Sequence, residues 1–369
     1  MEQVVGWPDW PTDELGPRSV TILRLAGGVP AVVAVDNTTL GPAIGGVRMR
    51  AEVTPAEVVR LARGMTLKSA AVGLPNGGAK SGIAAPPGLP ADRREALIRS
   101  FATCIAGITD YLPGPDMGTD ETAMAWVHDE IGRAVGRPAA LGGIPLDVLG
   151  ATGYGLAVCA EVLQEHGLLR LDGARIAIQG FGAVGRHAAL RLHQRGARVI
   201  AVSDIDGAVA NPDGLDIPKL TDFCQDHSPA EFPGGAAIDR DDLLGTACDV
   251  LIPAAQPDVL DRVTAGQVRA RIVLEGANIP ATGAAEQALR DRGVLIVPDI
   301  IANAGGVICA AAESRGLTAT QAFTDIAERL RTATTEWLGR VTAGATPRQA
   351  ALDMATARLT TAAGYRRSF

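Results

Sequence analysis

At 369 residues the chain is about 2.5 times a typical domain of roughly 150, so two domains are expected. Its 47% hydrophobic and 20% charged residues can bury a sizeable core, which excludes a disordered or fibrous polymer. The 41 acidic against 34 basic residues leave a net charge of −7, opposite in sign to a duplex-binding footprint, so no nucleic-acid partner is expected.

The longest apolar runs, such as the one around Val32, are a handful of residues where a spanning helix needs about 20, so no membrane association is expected. The N-terminal MEQVVGWPDWPTDE has no basic region followed by an apolar stretch, and no secretory signal is expected there. The first stretch with clear order is Thr54 to Ala71. Thr54 caps it, Pro55 suits the first helical position, and Glu57 is placed to complete a capping box. Val58, Leu61, Met65 and Lys68 then recur on one face. A lysine on an apolar face is unusual, because an unpartnered buried charge is costly. Lys68 feeds a glycine-rich loop, GLPNGGAKSG, that carries Lys80, and a cleft lined by both lysines is expected. They are two of only three lysines in the chain, and lysine, unlike arginine, can lose its proton when buried.

From Asp172 onward, strands alternate with helices. ARIAIQ (174–179) reads as a buried strand and residues 183–195 as a helix stopped by Gly196. RVIAVSD ending at Asp204, DVLIP (249–253), RIVLEG (271–276) and VLIVPD (294–299) are further strands, and the alternation predicts a parallel, doubly wound sheet. The segment after Thr318 reads as helical, with a second start at Thr346-Pro347. The expected organisation is α/β: a substrate domain over 1–150, a Rossmann-like dinucleotide-binding domain over 151–317, and C-terminal helices over 318–369 packing back on the first domain. ATGYG near Ala151 breaks the pattern and marks the junction.

Between the first predicted strand and helix of this half lies Gly180-Phe181-Gly182-Ala183-Val184-Gly185, with the acidic Asp204 24 residues beyond Gly180. That context is a dinucleotide-binding fingerprint: a tight turn, close approach of a pyrophosphate to backbone, and a helix N-terminus to receive it. Asp204 would accept hydrogen bonds from ribose hydroxyls and repel a 2′-phosphate. Its neighbourhood, SDIDGAVANPDG, holds no lysine or arginine, so NAD is expected over NADP. The five cysteines and five histidines are scattered without metal-ligand spacing. No metal is expected, and the odd, unpaired cysteine set fits reduced thiols in the cytoplasm.

Taken together, GPAIGGVR from Gly41, the segment Met65 to Lys80, GPDMGT from Gly114, ATGYG, the GFGAVG loop, EGAN at Glu275 and NAGGV at Asn303 resemble the glutamate/leucine/phenylalanine/valine dehydrogenase superfamily, from about Gly41 to Glu313. The resemblance implies oxidative deamination of an L-amino acid to a 2-oxo acid and ammonia, with hydride passing to a nicotinamide, in a homo-oligomer. It implies that Lys68 binds the substrate α-carboxylate, that Lys80 is the base activating water, and that Asp116 shuttles protons to the amino group. Gly45, Gly46 and Met65 would line the substrate side, and Thr152, Asn278 and Asn303 would lie near the nicotinamide and its ribose. On physical grounds, Lys68 beside Lys80 would help depress the pKa of Lys80 and so free a neutral base.

Members that take glutamate carry a lysine in GP-x-K-GG, where this chain has Ile44, and a serine seven residues after the asparagine of NAGG, where it has Ala310. Ile44, Val307 and Ala310 would leave a glutamate carboxylate unpaired, so an aliphatic or aromatic substrate is expected. Glutamate is the alternative, because PDMGTDETAMAW and EGANIPAT look closer to the glutamate branch. A silent nucleotide-binding protein on this fold would be expected to lack one of Lys68, Lys80 and Asp116. A hydroxy-acid dehydrogenase would want a histidine–carboxylate pair that the scattered histidines do not offer.

Overall fold

Alternation of apolar strands with capped helices builds two sheets, one in each half of the chain. The computed structural model describes residues 13–86 and 88–365, so most of the N-terminal stretch read for a secretory signal lies outside the described residues.

The first half contains β1 (Ser19–Arg24), β2 (Pro30–Asn37), β3 (Ala43–Met49), α1 (Pro55–Ala71), β4 (Gly77–Ile83), α2 (Ala91–Cys104), β5 (Tyr111–Pro115) and α3 (Glu121–Ile131). Its sheet runs β1-β2-β4-β3-β5, antiparallel on the β1 side and parallel from β4 to β5. Two of these elements, β4 and α1, differ from expectation. Lys80 lies on strand β4, not in a loop. The proline-containing YLPGP forms β5, which a proline-bearing strand can do because it sits at the sheet edge. Thr54 caps α1 by accepting from the Glu57 N–H at 3.2 Å, but the Glu57 carboxylate turns to Arg48 at 2.6 Å instead of completing a capping box.

The second half opens with α4 (Ala151–Glu165), followed by β6 (Arg175–Gln179), α5 (Ala183–His193), β7 (Arg198–Ser203), β8 (Ala208–Ala210), α6 (Ile217–Phe223) and β9 (Ala236–Ile238). It continues through β10 (Val250–Pro253), α7 (Arg262–Gln267), β11 (Ile272–Leu274), α8 (Gly283–Asp291), β12 (Leu295–Val297), α9 (Asp299–Ala302) and α10 (Gly305–Ser314). The sheet order is β12-β11-β10-β6-β7-β8-β9. The five strands from β12 to β7 are parallel, and the unpredicted β8 and β9 extend the edge antiparallel. This is the two-domain α/β fold expected, with a mixed rather than wholly parallel second sheet. ATGYG forms the first turns of α4, where the second half opens. A Cβ on Gly153 would come within 2.5 Å of the Ala188 nitrogen on α5, so the small residues there allow the two helices to pack tightly.

Two long helices follow, α11 (Ala319–Thr342) and α12 (Pro347–Ala363), both capped by threonine. Helix α12 packs against α11 and, across the molecule, against α1. Trp337 is fully buried where they meet and donates its indole N–H to the Pro347 carbonyl at 2.8 Å. Trp337→Ala is expected to destabilise the fold by about 3–5 kcal/mol. Trp337→Phe keeps most of the ring and loses the indole bond to a carbonyl that α12 already pairs, and should cost about 1 kcal/mol. Urea unfolding of both variants checks the order, and equal losses would contradict it.

Candidate active site

Strand alternation starts the site. On β3 the residues Ile44, Gly46 and Arg48 follow one another two apart and so share a face. All three line a cavity of about 310 Å³ between the two sheets. Lys80 enters it from β4, Lys68 and Met65 from α1, and Asp116 from the first residue after β5. Gly46 has to be glycine, because a Cβ there would lie 2.7 Å from the Asp116 Cβ and 3.2 Å from the Lys80 Nζ.

The charges are bracketed tightly. Asp116 Oδ2 accepts from Lys80 Nζ at 3.0 Å and from Arg48 Nε at 2.8 Å, and Arg48 reaches Glu57 with its other end. Burial pushes the Asp116 carboxyl up, but Lys80 and Arg48 outweigh it and hold it below the ordinary carboxylate value. Burial likewise pulls Lys80 down, opposed by Asp116 and helped by Arg48. Desolvation is the first cause and Arg48 adds to it, while the repulsion expected between the two lysines falls on Lys68, which Lys80 lowers. Lys68 is itself lowered to about 8, by burial first, with Asp299 opposing and Lys80 contributing. Its Nζ donates to Asn278 Oδ1 at 2.8 Å, a contact that bridges the two halves of the molecule.

The second half supplies the other wall. Thr152, Val184, Asn278, Asn303, Val307 and Ala310 line the same cavity, as does Gly45 on the first side. Asn303 donates to the Ala277 carbonyl at 2.8 Å, while its own Oδ1 is buried without a partner among the described residues. The glycine loop lies at the end of β6. Gly180 takes φ +93°, and a Cβ on Gly185 would lie 1.8 Å from the Gly180 carbonyl oxygen, which shows how closely α5 packs on the turn. A Cβ on Gly182 would meet nothing, so the space before the α5 N-terminus at Ala183 is open. An open cradle at a helix N-terminus, with an unpartnered buried acceptor at the cavity end, fits an extended dinucleotide. Phe181 is only 7% exposed and belongs to the hydrophobic core, so its side chain is turned away from the open cradle.

Asp204 follows β7, and its Oδ1 already accepts from the N–H groups of Asp206 and Gly207, each at 2.9 Å, and from Ser228 at 3.1 Å. The expectation that no cation is near is corrected by Arg240, which donates to the Ile205 carbonyl at 3.1 Å. It comes from 36 residues beyond Asp204, too far along the chain to be read as a neighbour. Arg48 and Asp147 also line the cavity without having been assigned. The alternation Ile44–Gly46–Arg48 was the available signal for Arg48. Among the described residues no cluster of three or more His, Cys, Asp or Glu side chains can hold a metal, and no helix is long and apolar enough to cross a membrane.

Comparison with known proteins shows the family. The family model for glutamate/leucine/phenylalanine/valine dehydrogenase matches residues 142–366, and the model described as the dimerisation domain of these enzymes matches residues 23–133. The chain belongs to this family. It is thus an amino-acid dehydrogenase, an oxidoreductase of a family that uses NAD or NADP. It is 38% identical over 286 residues to the NADP-specific glutamate dehydrogenase of Saccharolobus shibatae, covering 74% of this chain and 67% of that one. It is 39% identical to the glutamate dehydrogenase of Aeropyrum pernix, with 74% and 68% covered. Its fold superposes on the leucine-bound hetero-hexameric glutamate dehydrogenase of Thermus thermophilus with a TM-score of 0.87 at 31% identity, covering 96% and 91%.

Arg48→Met removes one of the two cations that keep Asp116 ionised. The acid limb of the pH–rate profile should move up by about one pH unit. An unmoved limb in a folded variant would contradict the bracket.

Proposed function

We propose that this dehydrogenase catalyses reversible oxidative deamination of an L-amino acid, yielding the 2-oxo acid and ammonia. The observation that carries the reading is the convergence of two buried lysines and one carboxylate on a cavity that opens toward the glycine loop. The bound nicotinamide supplies the hydride acceptor. Lys68 holds the α-carboxylate as an ammonium. Asp116, kept ionised by its two cations, takes a proton from the substrate amino group. Lys80, whose depressed pKa lets it release its own proton to solvent first, then takes as a neutral amine the proton of the water that adds to the imine carbon, and Asp116 returns a proton to the departing ammonia. Thr152, Asn278 and Asn303 hold the nicotinamide end, while the backbone of Gly180 to Gly185 receives the pyrophosphate.

For the substrate side chain, glutamate is the first reading, since the similar proteins are named glutamate dehydrogenases. Those names support it better than the apolar amino acid expected from sequence. One specific feature favours that second reading. Ile44, Met65, Val307 and Ala310 line the cavity, and its cations among the described residues are Arg48, Lys68 and Lys80. All three have other tasks, so a side-chain carboxylate would meet apolar walls at a cost of several kcal/mol.

NAD is the proposed cofactor, from Asp204 facing the ribose. NADP is the reading that Arg240 and the name of the Saccharolobus shibatae relative favour. A homo-oligomer is proposed from the matched dimerisation-domain model and the hexameric Thermus thermophilus relative. The free thiols of all five cysteines support a cytoplasmic setting.

The test is reduced-nicotinamide formation with L-glutamate, L-leucine, L-valine, L-isoleucine, L-phenylalanine and L-tryptophan, each with NAD and NADP. Turnover is expected with at least one, falling by about 10²–10⁴ in Lys80→Ala. Glutamate alone retires the apolar reading, and apolar substrates alone retire glutamate. NAD should exceed NADP by about tenfold in kcat/KM, with the gap narrowing in Asp204→Ala. Inactivity across the panel in a protein that binds ADP would overturn the reaction.

A further inference from the structure

Helix α12 carries an arginine into a place no sequence pattern marks. Arg348, in its first turn, reaches three carboxylates of the second half. Nη2 donates to Glu275 Oε2 at 2.9 Å, Nη1 donates to Asp299 Oδ1 at 2.9 Å, and Nε pairs with Glu286. Glu275 has no exposed surface, and its Oε2 also accepts from the Asp299 N–H at 2.8 Å.

The segment between these anchors presents Asn278 to Lys68. Glu275 begins it. Ile279 ends it in a left-handed conformation with φ +50°, which a β-branched side chain rarely adopts. That conformation is held because the Ile279 N–H donates to Asp299 Oδ2 at 3.0 Å. Arg348 therefore pins the start of the segment directly, through Glu275, and its strained end indirectly, through Asp299. Ten residues along the same helix, Arg358 donates to the carbonyls of Ala70, at 2.9 Å, and Ala71, at the end of α1. Helix α1 is the element that carries Lys68.

From this we infer that α12 is a strut across the cleft and that Arg348 is a positioning residue, fixing where Asn278 meets Lys68 and hence where the substrate α-carboxylate is received. Arg348 touches neither substrate nor cofactor in this account. Its effect passes through the 275–279 segment, and the inference rests on the proposed role of Lys68. A misplaced carboxylate anchor should damage substrate capture more than it damages binding at the glycine loop, which lies at the end of β6 and has no contact with Arg348.

The experiment uses the full-length protein, wild type, Arg348→Met and Arg348→Lys. Hydrogen–deuterium exchange is followed on peptides covering 275–280 and on peptides of β6 and β10, alongside KM, kcat and ADP affinity. In Arg348→Met, exchange should rise in 275–280 and stay near wild type in β6 and β10. KM for the amino acid should rise about 10–100-fold while ADP affinity stays unchanged. Arg348→Lys can meet one carboxylate at a time and should recover part of both effects. Unchanged exchange in 275–280, exchange raised evenly across the chain, or an unchanged KM with a loosened segment would each overturn the proposal. The exchange result does not need turnover, so a loosened segment in an enzyme inactive on every amino acid would count against the reaction and leave the strut standing.

Discussion

One carboxylate oxygen, Asp116 Oδ2, is shared between Lys80 and Arg48, and the geometry of the cleft follows from the need to keep that arrangement together. Charges about 3 Å apart at an effective dielectric of about 20 attract by roughly 5 kcal/mol. Removing each ion from water costs several kcal/mol. The two nearly cancel, so the cluster adds little net stability. What it fixes is protonation: a carboxylate that stays ionised and an amine whose proton is loosely held, side by side in a place that excludes most water.

Holding these groups takes four elements from different parts of the chain. The β3–β4 pairing places Arg48 and Lys80 on adjacent strands, with Val47 opposite Ser81 and Arg48 opposite Gly82. The β3–β5 pairing sets Val47 opposite Pro115, which brings the next residue, Asp116, up to Gly46. The missing side chain at Gly46 is the space the pair occupies. Helix α1 contributes from both ends: Glu57 in its first turn secures the far side of Arg48, and Lys68 in its last turn reaches across to Asn278. A single helix thus links the proton-handling groups to the contact between the domains.

What was legible in the sequence was what local rules dictate. The capped α1, the β6–glycine loop–α5 unit and the parallel strands announce themselves through caps, glycine and apolar runs. Motif order then carried the family and most of the cavity, from Ile44 to Ala310. The losses have equally physical causes. GGAKSG lacks strand-forming residues, so Lys80 read as a loop residue although neighbouring strands on both sides hold it in β4. YLPGP offered no strand signal, because its edge position, which tolerates proline, is a tertiary fact. Arg240 and Arg348 act on segments 36 and 73 residues away from Asp204 and Glu275, and no short-range pattern encodes such meetings. The lowering of Lys80 was foreseen from burial and from Lys68, but the part Arg48 plays was not, because Arg48 is 32 residues away in sequence and near only in space.

Both cleft lysines are held away from ordinary behaviour, and the composition makes this directly testable. The chain has three lysines, and the third, Lys219, is exposed and paired with Asp216, which raises it above the ordinary value of 10.5. Protein labelled with ¹³C and ¹⁵N at lysine alone therefore gives three side-chain signals to follow by NMR as pH rises, with Lys219→Arg removing one for assignment. The account predicts two signals that titrate below 10.5, that of Lys68 at about 8, and a third above it. Three signals titrating together at or above 10.5 would contradict it.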